Sequence, residues 1–345
     1  MKTPVFSDDM LLNRVLLLAA LAIVMMGIHL AASILSIILL SLFLAIVLEP
    51  VVALLCRTRL PRSLVVVLLG GVLLMLLVYV LLRMVAALPE LNQMSLQMRS
   101  LLTRQLAVGM APLQELGLTL SPEAAMSLID PGQFLGLITR MLSHVSSFFS
   151  SALVVFLTVI FMLIEVPVLV EKIQRLFRAE SSGMKAVRRG IDSVTQYLML
   201  KTLMSVLNGV AIWVLLTILQ VKFAFIWAVL AFLLNFIPVL GSILAAVPPI
   251  IQAFAFNGMS TGMAALAAFL IINLILGWIV DPYLCGRKLN IATSVVLISL
   301  LVWQGLLGLI GILLAVPLTM TLKLIVEQVD GGARWARLLE GGKEN

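Results

Sequence analysis

Three carboxylates stand at the ends of long apolar runs, each with a proline just behind it: Glu49-Pro50, Glu165-Val166-Pro167 and Asp281-Pro282. An acidic side chain bordering a membrane can take up a proton, hold a sodium ion or accept a hydrogen bond from a solute hydroxyl. It can equally pair with a nearby base, Arg287 or Lys288 in the case of Asp281, or sit in headgroup water. Glu49, Glu165 and Asp281 are the candidates for ion coupling. Two uncharged amides, Asn235 and Gln304, lie in apolar stretches broken by glycine and proline, and Asn208 and Asn273 lie deeper in other runs. Such amides either tie helices together or contact a polar solute. No nucleophile elbow, metalloprotease box or Walker motif accompanies them. His29 and His144 lack ligand-like spacing. We expect no catalytic residue, no metal site and no cofactor.

The broken stretches define where such chemistry would occur. One covers 223–256 and is interrupted by Pro238, Gly241 and the Pro248-Pro249 pair. The other covers 291–322 and is interrupted by Gly305, Gly308, Gly311 and Pro317. Aligned without gaps, ILAAVP at 243–248 matches ILLAVP at 312–317, and Asn235 falls opposite Gln304. Paired breaks at corresponding places point to a substrate path. Backbone freed by a break is tolerated in lipid only against protein or a water-filled cavity. The substrate-path candidates are therefore Asn235, Pro238, Gly241 and Ser242 in the first segment and Gln304, Gly305, Gly308 and Pro317 in the second. An ordinary turn between two spans is the competing reading of the first, and close helix packing at glycine competes for the second.

The elements that must carry these residues follow from composition. Of 345 residues, 62% are apolar and 11% charged, and the mean hydropathy is +1.20. A soluble domain has roughly 25% charged residues. Several runs reach the roughly 20 residues that span a bilayer. The fold class expected is an all-α polytopic integral membrane protein with about eight membrane segments, two of them broken or re-entrant hairpins. The partition runs as follows: three N-terminal spans over 1–88, an extracytoplasmic insert of short amphipathic helices over 89–146, and a fourth span over 147–170. A basic amphipathic region follows over 171–201, then a C-terminal core over 202–326 holding both broken segments, and a polar tail over 327–345. Cys56 and Cys285 fall near one face, and a disulfide between them is not expected.

The charge pattern supplies orientation. With the N-terminus inside and each broken segment returning to its starting side, only Arg83, Arg99, Arg104, Arg140 and Lys222 of the 23 basic residues fall outside. That split obeys the positive-inside rule and puts both termini in the cytoplasm. The net charge of +7 reports topology, so no nucleic-acid partner is expected; the partner is the lipid bilayer. The two broken segments then open from opposite sides of the membrane.

Several motifs, in order, carry a family resemblance: Glu49-Pro50, FMLIEVP at 161–167, AVRRGIDSV at 186–194, FIW at 225–227, NFIPVLGS at 235–242, Asp281-Pro282 with Gly286-Arg287, and AVPLT at 315–319. Together they resemble the autoinducer-2 exporter family, also called PerM-like permeases, over about 12–328. The resemblance implies a multi-pass bacterial inner-membrane protein that exports a small polar solute, the quorum-sensing signal autoinducer-2. Other members are described as sodium(lithium)/proton antiporters, which keeps that activity as an alternative. A non-transporting oligomeric scaffold is the third reading. Family members are described as homo-oligomers, so a homo-oligomer is implied here too.

Overall fold

The computed structural model describes residues 8–115, 152–165, 168, 182–238, 240–280 and 292–327. All regular structure among them is helical. In order, the elements are α1 (Asp8–Leu30), α2 (Ala32–Cys56), α3 (Arg62–Glu115), α4 (Ala152–Glu165), α5 (Ser182–Ile218), α6 (Ala224–Leu234), α7 (Leu240–Gln252), α8 (Met259–Asn273) and α9 (Thr293–Glu327). π-helical turns extend α7 through Ala253–Asn257 and α8 through Leu274–Val280.

Six helices among the described residues are long and apolar enough to cross a membrane, and Ala152–Glu165 and Ala224–Leu234 are shorter apolar helices. Their surfaces are those of a protein solvated by lipid. Ile23, Met75, Ile218 and Leu301 are each more than 70% exposed. In water such surfaces would drive aggregation; against acyl chains they carry no penalty.

Helix boundaries depart from the domain partition expected above in two places. α3 continues through Pro89, so the third span and the start of the hydrophilic insert form one element. Its extension is held by apolar contacts: Leu101 and Leu102 pack with Ile251, Phe254, Ala255 and Phe256. α5 begins at Ser182, so the later part of the basic region and the fifth span form one helix too. Proline is absorbed more readily than the sequence suggests. α2 runs through Pro50, α7 through Pro248 and Pro249, and the second arm of α9 through Pro317. Neighbouring helices and local adjustment tolerate such prolines in membrane helices.

The chain divides into two compact units. One comprises Met1–Ile46, Leu157–Val194 and Asn290–Asn345; the other comprises Val47–Phe156 and Thr195–Leu289. Each unit holds one of the two broken segments. In the second unit the core gathers Ala87, Leu91, Ile212, Leu216, Trp227, Ala231, Ala245 and Phe269 around α6 and α7.

Candidate functional site

The first broken segment forms two helical arms joined by a turn at 235–238. Pro238 has no N–H to continue α6, which ends at Leu234. The turn is tightly bonded. Ile237 N–H donates to Leu234 O at 2.8 Å, Leu240 N–H to Pro238 O at 2.7 Å, and Gly241 N–H to Ile237 O at 3.2 Å. Gly241 is buried where a Cβ would overlap the Leu234 carbonyl. Only glycine lets the two arms meet this closely. α6 has 11 residues, about 16 Å of helix, roughly half a hydrocarbon core.

The base of this hairpin is closed by a buried amide. Trp227 Nε1–H donates to Gln252 Oε1 at 2.7 Å, and Gln252 Nε2–H donates to Lys222 O at 3.1 Å. Trp227 is fully buried and Gln252 nearly so. Asn257 Nδ2–H donates to Gln220 O at 3.1 Å, so two amides from the end of α7 and its π-helical extension hold the loop before α6. That loop contains two of the three described non-glycine residues with positive φ, Gln220 and Phe223. Beside it lies a recess of about 480 Å³ bordered by Arg83, Glu90, Trp213, Thr217, Gln220 and Phe223, among others. Lys222 Nζ contacts Glu90 Oε1 at 2.5 Å.

The turn of the hairpin meets α5 through polar groups. Asn235 Nδ2–H donates to Ser205 Oγ at 3.0 Å. Ser205 is fully buried and lies in the stretch Asp192–Ile218 of α5, which is long and apolar enough to cross a membrane. Asn208 lies one turn further along the same face. It is 4% exposed, and its Oδ1 has no hydrogen-bond partner among the described residues. Next to it, Gly209 lets α6 approach: a Cβ there would lie 3.1 Å from Phe232 Cβ. Asn235, Pro238, Gly241 and Ser242 are thus brought together at one turn, beside a buried Ser205–Asn208 pair on α5.

The second broken segment has its own turn. Of its three glycines and one proline, Gly308 alone leaves the helical region, at φ 66°, ψ −144°. Trp303 Nε1–H donates to Thr319 Oγ1 at 3.0 Å. Sixteen residues of straight helix would separate those positions by about 24 Å, so the chain folds back at Gly308. Gly311 is buried where a Cβ would overlap the Trp303 carbonyl. The carbonyls released at the turn find partners on α1 and α2. His29 Nδ1 lies 3.0 Å from Gly305 O, and Ser36 Oγ–H donates to Leu307 O at 3.2 Å. Gln304 and Gly305 are exposed, and Pro317 is buried.

The two hairpins repeat one device with a one-residue shift. The ungapped correspondence that pairs the ILxAVP words also pairs Leu234 with Trp303, and in each hairpin that residue's carbonyl receives a glycine from the second arm, Gly241 or Gly311, the latter one position later in the alignment.

The carboxylates are dispersed. Glu49 Oε2 lies 2.5 Å from Arg62 Nη2, which joins the end of α2 to the start of α3. Glu165 is exposed at the end of α4. Asp281 lies outside the described residues. No group of three or more His, Cys, Asp or Glu side chains among the described residues could hold a metal ion. Ser205 went unnoticed in the sequence because serine is common in membrane helices; its spacing of three residues from Asn208, on one helix face, was the available signal.

The model of the AI-2E family transporter matches residues 18–331. The chain belongs to the AI-2E transporter family. It is 42% identical over 328 residues to the AI-2 transport protein TqsA of Escherichia coli K12, covering 95% of each chain. It is 36% identical over 343 residues to the putative transport protein YhhT of the same organism, covering 99% of this chain and 98% of that one. A putative transport protein of Haemophilus influenzae is 37% identical over 340 residues, covering 96% of this chain and 97% of its own. This AI-2E transporter is therefore a multi-pass protein of the bacterial inner membrane, not an enzyme.

Proposed function

We propose that this transporter exports autoinducer-2, a small polar solute, through a path that passes the turn of the α6–α7 hairpin. The observation that carries the reading is the buried, uncharged cluster of Asn235, Ser205 and Asn208 on an apolar helix, beside a broken one. Broken helices near the bilayer midplane are where secondary transporters bind their solutes. Amides and hydroxyls suit a neutral hydroxylated molecule; an unpaired ion at that depth would carry a large desolvation penalty. The similarity to the AI-2 transport protein TqsA of Escherichia coli supports the choice of solute.

In this reading both termini are cytoplasmic, and the charge pattern has the two hairpins opening from opposite sides of the membrane. Gln304 and Gly305 border the path at the second hairpin. Asp281 and Glu165 are the groups available for coupling to protons or sodium. The test is flux in proteoliposomes containing the purified full-length protein. Autoinducer-2 efflux above that of protein-free vesicles is expected. Sodium-driven proton movement without autoinducer-2 movement would overturn the proposal.

A further inference from the structure

We infer that Asn208 and Ser205 together form a hydroxyl-binding subsite that distinguishes solutes by the presence of a hydroxyl group. The inference rests on the transport reading above and names the chemistry recognised beside the α6–α7 turn. Asn208 Oδ1 is a buried acceptor without a donor among the described residues. An amide oxygen left unsatisfied in an apolar interior is costly, and such orphans mark places where a water or ligand completes the bonding. Ser205 Oγ accepts from Asn235 and retains its own hydrogen to donate.

A free acceptor and an available donor thus stand one helical turn apart on the same face of α5, with Cβ atoms about 5–6 Å from each other. A solute hydroxyl complements both at once: its hydrogen goes to Asn208 Oδ1, and its oxygen accepts from Ser205 Oγ–H. A carbonyl could satisfy Ser205 but would leave Asn208 bare. The Asn235 amide fixes the Ser205 oxygen, and the close approach of α6 at Gly209 walls the pair on one side. A site built to bond a hydroxyl rejects an analogue lacking one, because its own buried groups are then left unpaired.

The test uses full-length protein in proteoliposomes and two probes: the dihydroxypentanedione precursor of autoinducer-2, and pentane-2,3-dione, the deoxy analogue lacking both hydroxyls. Wild type is expected to carry the dihydroxy probe about tenfold faster, the order of discrimination supplied by one neutral hydrogen bond. Asn208→Leu is expected to abolish that preference, with the deoxy probe carried near its wild-type rate. Asn208→Ala, which removes the amide without adding bulk, provides the same readout should the leucine disturb packing. A preference retained by both variants overturns the subsite while leaving transport intact. Equal loss of both probes in both variants also overturns it, assigning Asn208 a packing role. Transport of neither probe by wild type overturns the subsite and the proposed function together.

Discussion

Trp227 and Gln252 meet through a 2.7 Å hydrogen bond between the indole N–H and the amide oxygen, in a place that solvent hardly reaches. The bond joins the first arm of the α6–α7 hairpin to the end of the second. The other half of the Gln252 amide reaches the Lys222 carbonyl, so one side chain ties three points of the chain. Gln252→Leu would leave the buried indole donor without a partner and release the part-buried Lys222 carbonyl. The expected loss is about 1–3 kcal/mol, mainly for the bare indole N–H. Thermal unfolding of the detergent-purified protein, followed by size-exclusion recovery after heating, measures it. An unchanged midpoint would refute the role assigned to Gln252.

Gly241 is expected to be intolerant of any side chain. A Cβ there meets backbone, which cannot yield as a flexible side chain would. Gly241→Ala should cost about 1–3 kcal/mol through overpacking, and flux should fall with stability. Gly209→Ala makes a useful companion, since its nearest neighbour stands at 3.1 Å and can shift by a few tenths of an ångström. The smaller loss is expected at Gly209, read from the same thermal assay.

Gly305 and Gly308 separate backbone demand from space. A Cβ meets nothing within 4 Å at either position, but only Gly308 has a positive φ. Gly308→Ala is therefore expected to cost about 1–3 kcal/mol by strain alone. Gly305→Ala should be neutral or slightly stabilising, as glycine within a helix is entropically unfavourable. Equal effects at the two sites would show that Gly308 is not the turn.

Glu49 offers a test among the coupling candidates. Its contact with Arg62 lies in a half-exposed setting, where such pairs contribute about 0–1 kcal/mol. Glu49→Gln is expected to leave solute flux within about twofold of wild type, with a small loss of stability. A collapse of flux at unchanged thermal midpoint would instead make Glu49 a coupling residue.

Much of this arrangement was legible in the sequence, and the remainder has identifiable causes. The break before Gly241 could be read because Pro238 lacks a donor and glycine follows it. The break in the second segment could be located only within a group of candidates. Gly305, Gly308, Gly311 and Pro317 are all possible interruptions, and the choice of Gly308 depends on contacts remote in sequence: His29, Ser36 and the Trp303–Thr319 bond. The continuation of α3 through Pro89 was hidden for a similar reason, since Ile251 and Phe254 support it from far along the chain. Asn208 was ambiguous between helix adhesion and solute contact. A missing partner is visible only after folding.

The α6–α7 hairpin is fastened at both extremities: at its apex by Gly241 against Leu234, and at its base by Gln252 to Trp227 and Lys222. Fastened so, the two arms are held as one piece with the stiffness of a single bolt, and the proposed path runs alongside the hairpin, not between its arms.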